Sequence, residues 1–530
     1  MNNAFVDNLK MAAFLVFFCL LGILPGIRPD SNAGTSENNK NKAKHIILFI
    51  GDGMHLEHEI AASRYLSGAD NDLVFHRFPY KTPVSTWDVT TYNALASDGL
   101  YDPGKIVPVT GYDPARGGEC PYPMNRILID YSYFLDPLHA TDSASAATAW
   151  ATGFKTDEGN ISWLPGDPVI GGNRKNDGSL TTVAEILRES LGYSIGIVST
   201  VPFSHATPAA QVSHNRSRKN YYAIADEIIR IIQPEVVIGG GHPEWDPEYM
   251  ASALLNDIRS GSIGAYEFAE RKAGKDGTEL LFSKAASAIK NNRKLFGLFG
   301  GAGGNFEHPV PADIPGFPYI KKATSENPLL RDATVAALNF LSKDDDGFFL
   351  MVEQGDIDWA NHANDYKWMI GTLWDLNEAV KAAIDFVDQP ADEITWDNTL
   401  LIVTSDHSNS LMRLIPETKT EKGDLPGQTA KPLDYPCPAH AYCGNYLYPD
   451  GDVTYGTGHH TNELVMLYAT GSNSNLFKKY EGKWYPCTSI IDNTHIFHVI
   501  TEAAGVPRQS PLTVNTELPG RCPKPLRTMH

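Results

Sequence analysis

Short runs that are apolar at nearly every position punctuate the chain: His45 to Ile50 (HIILFI), Tyr193 to Val198 (YSIGIV), Val236 to Ile238 before Gly239-Gly240-Gly241, Phe348 to Val352 (FFLMV), Leu400 to Val403 (LLIV) and Leu464 to Ala469 (LVMLYA). A strand with one solvated face alternates apolar and polar residues, whereas a strand covered on both faces does not. Between these runs lie segments of helical period, clearest in Leu180 to Glu189, Tyr221 to Ile232, Leu329 to Leu341 and Leu373 to Val387. The alternation predicts an α/β fold, a three-layer α/β/α sandwich with a large, mostly parallel central sheet. Two stretches, about residues 75–135 and 411–457, are rich in turn-forming residues and break the pattern. They are expected as insertions on one rim of the sheet, since long loops in compact domains are usually functional or mobile.

The N-terminus follows another logic. After Lys10 the run Met11 to Leu24 is apolar, then come Pro25, Gly26 and small residues up to Ala33. The run is shorter than the ~20 residues that span a bilayer, so residues 1–33 read as a secretory signal. The alternative is an uncleaved N-terminal anchor. Residues 34–530 are then one domain, exported to the periplasm or the cell exterior, with no stable membrane span. In an oxidising compartment Cys437 can pair with Cys443 and Cys487 with Cys522, leaving Cys120 free, although connectivity does not follow from sequence.

Composition narrows the partners. The chain has 530 residues, 44 Lys plus Arg and 63 Asp plus Glu, for a formal net charge of −19. Such a surface argues against binding nucleic acid or anionic membranes, which require dense positive charge.

Candidate chemistry gathers behind the predicted strands, where ligands bind in open α/β sheets. Ile50 runs into Gly51-Asp52-Gly53, Val198 leads to His205-Ala206-Thr207, Val352 is followed by Glu353, Val403 leads to Asp406-His407, and Gly458-His459-His460-Thr461 precedes Leu464. Asp358 and His362 stand in i, i+4 relation in EQGDIDWANHAND, so one helical face would present a carboxylate and an imidazole to the same cation. Carboxylate with imidazole suits zinc, and the all-oxygen set Asp52, Thr207 and Glu353 suits magnesium. In HATDSASAATAWATGFKT the Ala-rich stretch predicts a helix ending at Gly153 with Ser143 at its N-terminus, a position that favours an anion. Asp142 and Ser143 read equally well as a plain N-cap.

The segment TDSASAATAW resembles the nucleophile motif of the alkaline phosphatase family. IGDGM, HATPAAQVSHNRSRK, MVEQGDIDWANHAND, VTSDH and HHTNELVMLYA resemble its other signature segments in the same order. The resemblance implies Ser143 as nucleophile and Arg218 as the grip on phosphoryl oxygens. It implies a first zinc on Asp358, His362 and His460, and a second on Asp52, Asp406 and His407. A third ion, usually magnesium, would lie on Asp52, Thr207 and Glu353, with His205 close by. Implied too are an alkaline-phosphatase-like fold, small phosphate monoesters as substrates, inorganic phosphate as product, a phosphoserine intermediate and a homodimer. The alternative is a phosphodiesterase or sulfatase of the same superfamily. The chain departs from the pattern at His55 and His58 beside Asp52, at His205, which is Asp in some members, and at Trp359, where Lys or His is usual. His459 adjoins His460, and HTNEL selects His460.

Overall fold

A computed structural model of the chain describes residues 42–91, 140–165, 178–389, 393–415, 421–435, 444–485 and 487–506. Its frame is a ten-stranded sheet made of β1 (His45–Gly51), β2 (Tyr80–Ser85), β3 (Ser194–Pro202), β4 (Val236–Gly240), β5 (Tyr266–Glu270), β6 (Lys294–Leu298), β7 (Phe348–Gln354), β8 (Thr399–Thr404), β9 (Val465–Gly471) and β10 (Ile491–Asp492). In space they lie in the order β10-β2-β9-β8-β1-β7-β3-β4-β6-β5. From β8 to β5 every neighbour pair is parallel, and β9 alone runs against its two neighbours. This reversal brings the N-terminal end of β9 to the edge where the parallel strands end, so the segment before it joins their carboxyl ends.

The helices are α1 (Leu56–Ser67), α2 (Ser143–Thr152), α3 (Val183–Leu191), α4 (Ala206–Val212), α5 (Tyr221–Asp226, continued as a π-helical turn to Ile232), α6 (Ser252–Arg259), α7 (Gly277–Asn291), α8 (Leu330–Leu341), α9 (Asp356–His362), α10 (Tyr366–Val387) and α11 (Thr494–Ala504). The pleat of β1 distributes them. Ile46, Leu48 and Ile50 enter the core shared with Ala147, Leu187, Ala209, Leu254 and Val499, whereas Ile47 and Phe49 enter the core shared with Ala62, Leu281, Leu338 and Leu373. Successive side chains of a strand point to opposite faces, so full burial on both explains the unbroken apolar runs of β1, β7 and β8. Among the described residues no helix is long and apolar enough to cross a membrane.

Two expectations need correction. Tyr80–Ser85, assigned to an insertion beginning at 75, is a strand of the sheet, paired with β9 and β10. Leu464 to Ala469 is antiparallel rather than parallel to its neighbours. Most of the expected 75–135 insertion, the 1–33 segment and Cys120, Cys437, Cys443 and Cys522 lie outside the described residues; Cys487 is exposed, and no other cysteine is among the described residues. The 411–457 excursion carries two short antiparallel ladders, Met412–Leu414 with Val453–Tyr455 and Thr429–Ala430 with Tyr446–Leu447.

One buried ion pair ties the start of α11 to the segment that follows α2. Lys155 Nζ lies 2.9 Å from Asp492 Oδ2, with side chains 1% and 0% exposed, and also donates to the Trp87 carbonyl at 2.8 Å and to Asn493 Oδ1 at 2.6 Å. Burial lowers the Lys155 pKa, and the Asp492 charge opposes that shift. Removing one partner leaves a desolvated charge. Asp492→Ala is therefore expected to cost about 3–5 kcal/mol, measurable as a lower urea midpoint, whereas Asp492→Asn, which keeps an acceptor, should cost less.

Candidate active site

Ser143 opens α2, and the helix ends at Gly153 in a left-handed C-cap, as the Ala-rich pattern predicts. Asp142 is the N-cap, accepting from Ser145 N at 3.0 Å through Oδ1. The same carboxylate accepts from Arg218 Nη1 at 2.9 Å through Oδ2, so capping and positioning coexist in one residue. Burial opposes ionisation of Asp142, yet the Arg218 charge and the Ser145 hydrogen bonds outweigh it and hold the carboxyl down at about 2. Arg218 Nη2 reaches His205 Nε2 at 3.2 Å. The guanidinium is thus fixed on two sides, next to a Ser143 side chain that is itself buried.

Three histidines share one arrangement. His362 Nδ1 faces the Gly458 carbonyl at 2.6 Å, His460 Nδ1 the Thr141 carbonyl at 2.8 Å, and His407 Nδ1 the Ser408 carbonyl at 3.3 Å. A carbonyl only accepts, so each Nδ1 carries the hydrogen, and each neutral ring turns the Nε2 lone pair inward. Those lone pairs meet other lone pairs. His362 Nε2 is 3.1 Å from His460 Nε2; Asp358 presents Oδ2 to His362 Nε2 at 3.2 Å and Oδ1 to His460 Nε2 at 3.3 Å. His407 Nε2 faces Asp406 Oδ2 at 3.2 Å and Asp52 Oδ1 at 3.4 Å, and the Ser143 hydroxyl donates to it at 3.2 Å. Donors aimed at one another need a cation between them, and carbonyl-oriented imidazoles are the usual support of metal-bound histidine. Asp358, His407 and His460 form one group able to hold an ion, and Asp52, Asp406 and His407 a second.

The carboxylates carry the matching strain. The β1 to β7 register sets Ile50 beside Glu353, and β3 sets Ser199 on its other side. Ser199 Oγ donates to Glu353 Oε2 at 2.5 Å. Glu353 Oε1, Asp52 Oδ1, Asp406 Oδ2 and Thr207 Oγ1 are buried without a hydrogen-bond partner. Burial, followed by the charges of Asp406, Asp358 and Glu353, pushes the Asp52 carboxyl well above its usual range; burial raises Glu353 to about 7. These oxygens fit a hard cation.

Sequence reasoning missed the supports. Asn409 Nδ2 donates to Asp358 Oδ1 at 2.6 Å, and the carbonyls of Thr141, Gly458 and Ser408 have no side-chain signature. His459 is exposed, whereas His460 points into the cluster. His55 caps α1, its Nδ1 accepting from Glu57 N at 3.1 Å, and stacks on His58 at 3.9 Å, a structural pair on the rim. His205, expected near the third cluster, directs Nε2 to Arg218.

Burial lowers the His362 pKa, but the Asp358 charge and hydrogen bond and the Gly458 carbonyl outweigh it and raise it to about 9. Below that pH the metal-free ring is protonated at Nε2 and must lose the proton to ligate. Metal binding there should therefore release protons at neutral pH and weaken by up to about tenfold per unit as pH falls below 9. Calorimetry of the metal-free protein with a divalent cation as titrant, in buffers of different ionisation enthalpy, measures this; binding without proton release at pH 7 would contradict it.

Known proteins resemble this chain in sequence and fold. The alkaline phosphatase family model matches residues 124–423. The chain is 30% identical over 412 residues to alkaline phosphatase 3 of Bacillus subtilis, covering 76% of this chain and 70% of that protein. It is 28% identical to the alkaline phosphatase of Escherichia coli, covering 74% and 75%. Among solved structures, the Thermus thermophilus alkaline phosphatase aligns with a TM-score of 0.56 and 20% identity, over 91% of this chain and 97% of that one. The enzyme from the Antarctic bacterium TAB5 aligns with a TM-score of 0.54 and 22% identity, over 88% and 99%. With its ten-stranded sheet, its histidine and carboxylate clusters and these relatives, the chain belongs to the alkaline phosphatase family.

Proposed function

We propose that this phosphatase hydrolyses phosphate monoesters to an alcohol and inorganic phosphate through a phosphoserine on Ser143. The observation that carries this reading is the position of Ser143 Oγ, 3.2 Å from His407 Nε2, at a helix N-terminus flanked by Arg218 and the carboxylate clusters. A free serine hydroxyl is a poor nucleophile, and a cation that stabilises its alkoxide activates it. Asp358, His362 and His460 would hold a first zinc, Asp52, Asp406 and His407 a second, and Asp52, Thr207 and Glu353 a magnesium. Bound there, the cations supply Lewis-acid stabilisation of charge on oxygen and acidify water.

The chain's own residues do the rest. Ser143 Oγ attacks phosphorus and the ester oxygen leaves with the alcohol; water then cleaves the phosphoserine and restores the hydroxyl. Arg218, planar and held by Asp142 and His205, offers two parallel N–H donors to phosphoryl oxygens. Unpaired N–H groups in the first turn of α2 favour the same anion. The cations and Arg218 together outweigh the carboxylates of Asp52, Glu353, Asp358 and Asp406, so a monoester dianion suits the site better than a diester or sulfate monoanion. Arg218, Thr207 and Glu353 argue in the same direction against the phosphodiesterase or sulfatase alternative. The apolar run Met11 to Leu24, read as part of a secretory signal, supports export of this activity to the periplasm or the cell exterior.

Ser143→Ala should lower kcat/KM for a phosphate monoester by about a thousandfold or more, equivalent to roughly 4 kcal/mol, with the zinc content unchanged. Near-wild-type turnover in that variant would overturn the assignment. A chelator should abolish activity and zinc plus magnesium should restore it. Activity should also rise toward alkaline pH as His362, raised to about 9 beside Asp358, loses its proton, and an acid optimum would count against the reading.

A further inference from the structure

Beside the phosphoryl grip stands a group of aromatic rings that the hydrolysis itself does not use. His205 is buried, and its ring is enclosed on several sides. Tyr221 lies parallel to it at 6.3 Å and 12°, Trp359 meets it edge-on at 5.9 Å and 83°, and Tyr249 edge-on at 6.4 Å and 72°. Tyr221 and Tyr249 also contact each other at 4.9 Å. Unlike His205, these three outer rings are only partly buried and keep surface available to solvent. Their placement relative to the chemistry is close. Arg218 Nη2 is 3.2 Å from His205 Nε2, Trp359 directly follows Asp358 on α9, and Tyr221 opens α5 close behind Arg218 in the chain.

We infer that Trp359, Tyr221 and Tyr249 form a subsite for the alcohol portion of the ester and favour phosphate monoesters whose alcohol carries a flat aromatic ring system, such as nucleoside monophosphates. The inference rests on the monoesterase reading and adds a substrate class to it. Partly exposed aromatic faces beside a fixed guanidinium suit a ligand with an anion at one end and a planar π-system at the other. A base stacking on such rings typically gains enough to change binding several-fold to more than a hundredfold. Tyr and Trp supply this area with few rotatable bonds and so little ordering cost.

The test compares adenosine 5′-monophosphate with ribose 5-phosphate on the zinc- and magnesium-loaded protein. Both release a primary ribose 5′-hydroxyl, so the chemical step is matched and the kcat/KM ratio reports the base. Wild type is expected to favour the nucleotide by about tenfold. Trp359→Leu and Tyr221→Leu should each bring the ratio toward one while ribose 5-phosphate turnover is retained, and Tyr221→Phe, which keeps the ring, should preserve it. Turnover of both substrates at a ratio near one in wild type, or a ratio unchanged in both leucine variants, would overturn the subsite and leave the phosphatase reading intact. Failure to turn over either ester would instead overturn the phosphatase reading.

Discussion

Four buried carboxylates converge on one edge of the sheet, and the geometry of the site follows from what is needed to keep them there. Asp52, Glu353, Asp358 and Asp406 are 0–5% exposed; burial and neighbouring carboxylates push Asp52 and Glu353 up, whereas the His362 and His460 charges overcome burial and hold Asp358 well below its usual range. His362, His407 and His460 have their Nδ1 hydrogens committed to backbone carbonyls. What they turn inward is therefore a set of lone pairs. Positive charge, a proton on His362 in the metal-free protein or a bound cation in its place, reconciles these lone pairs with the carboxylates.

The fold delivers these groups with little adjustment. Parallel strands end together, so Asp52, Glu353 and Asp406 arrive at the same level from β1, β7 and β8, and Thr207 follows β3 at the start of α4. The antiparallel β9 adds His460 from the opposite chain direction. α9 starts directly after Gly355, which follows β7, and its i, i+4 spacing brings Asp358 Oδ2 within 3.2 Å of His362 Nε2. Ser143, the proposed nucleophile, comes from a different source. It opens a helix whose N-cap Asp142 also holds Arg218, so a change at Asp142 would disturb both the helix and the placement of Arg218.

Much of this was legible in the residues because the signals were local. Strands buried on both faces announce themselves as continuous apolar runs, and metal-type side chains immediately beyond them mark the active edge. The strands at and near the edges were harder to read. Tyr266–Glu270 is only partly buried, and Tyr80–Ser85 alternates and contains Pro83, so neither forms an apolar run. α10 begins at Tyr366, earlier than its apolar period suggested, because Asp365 caps it by accepting from Trp368 N at 2.9 Å. Backbone carbonyls that orient histidines leave no trace in sequence. Nor could the −19 overall charge reveal the site, since acids that gather cations reverse the local sign while the others serve the outer surface.

Diffraction from crystals of the metal-loaded protein at the zinc absorption edge tests the central claim most directly. The account predicts two anomalous peaks, one bounded by Asp358, His362 Nε2 and His460 Nε2, the other by Asp52, Asp406 and His407 Nε2, with Ser143 Oγ beside the second. Zinc bound elsewhere, or histidines presenting Nδ1 to the cluster instead of Nε2, would contradict it.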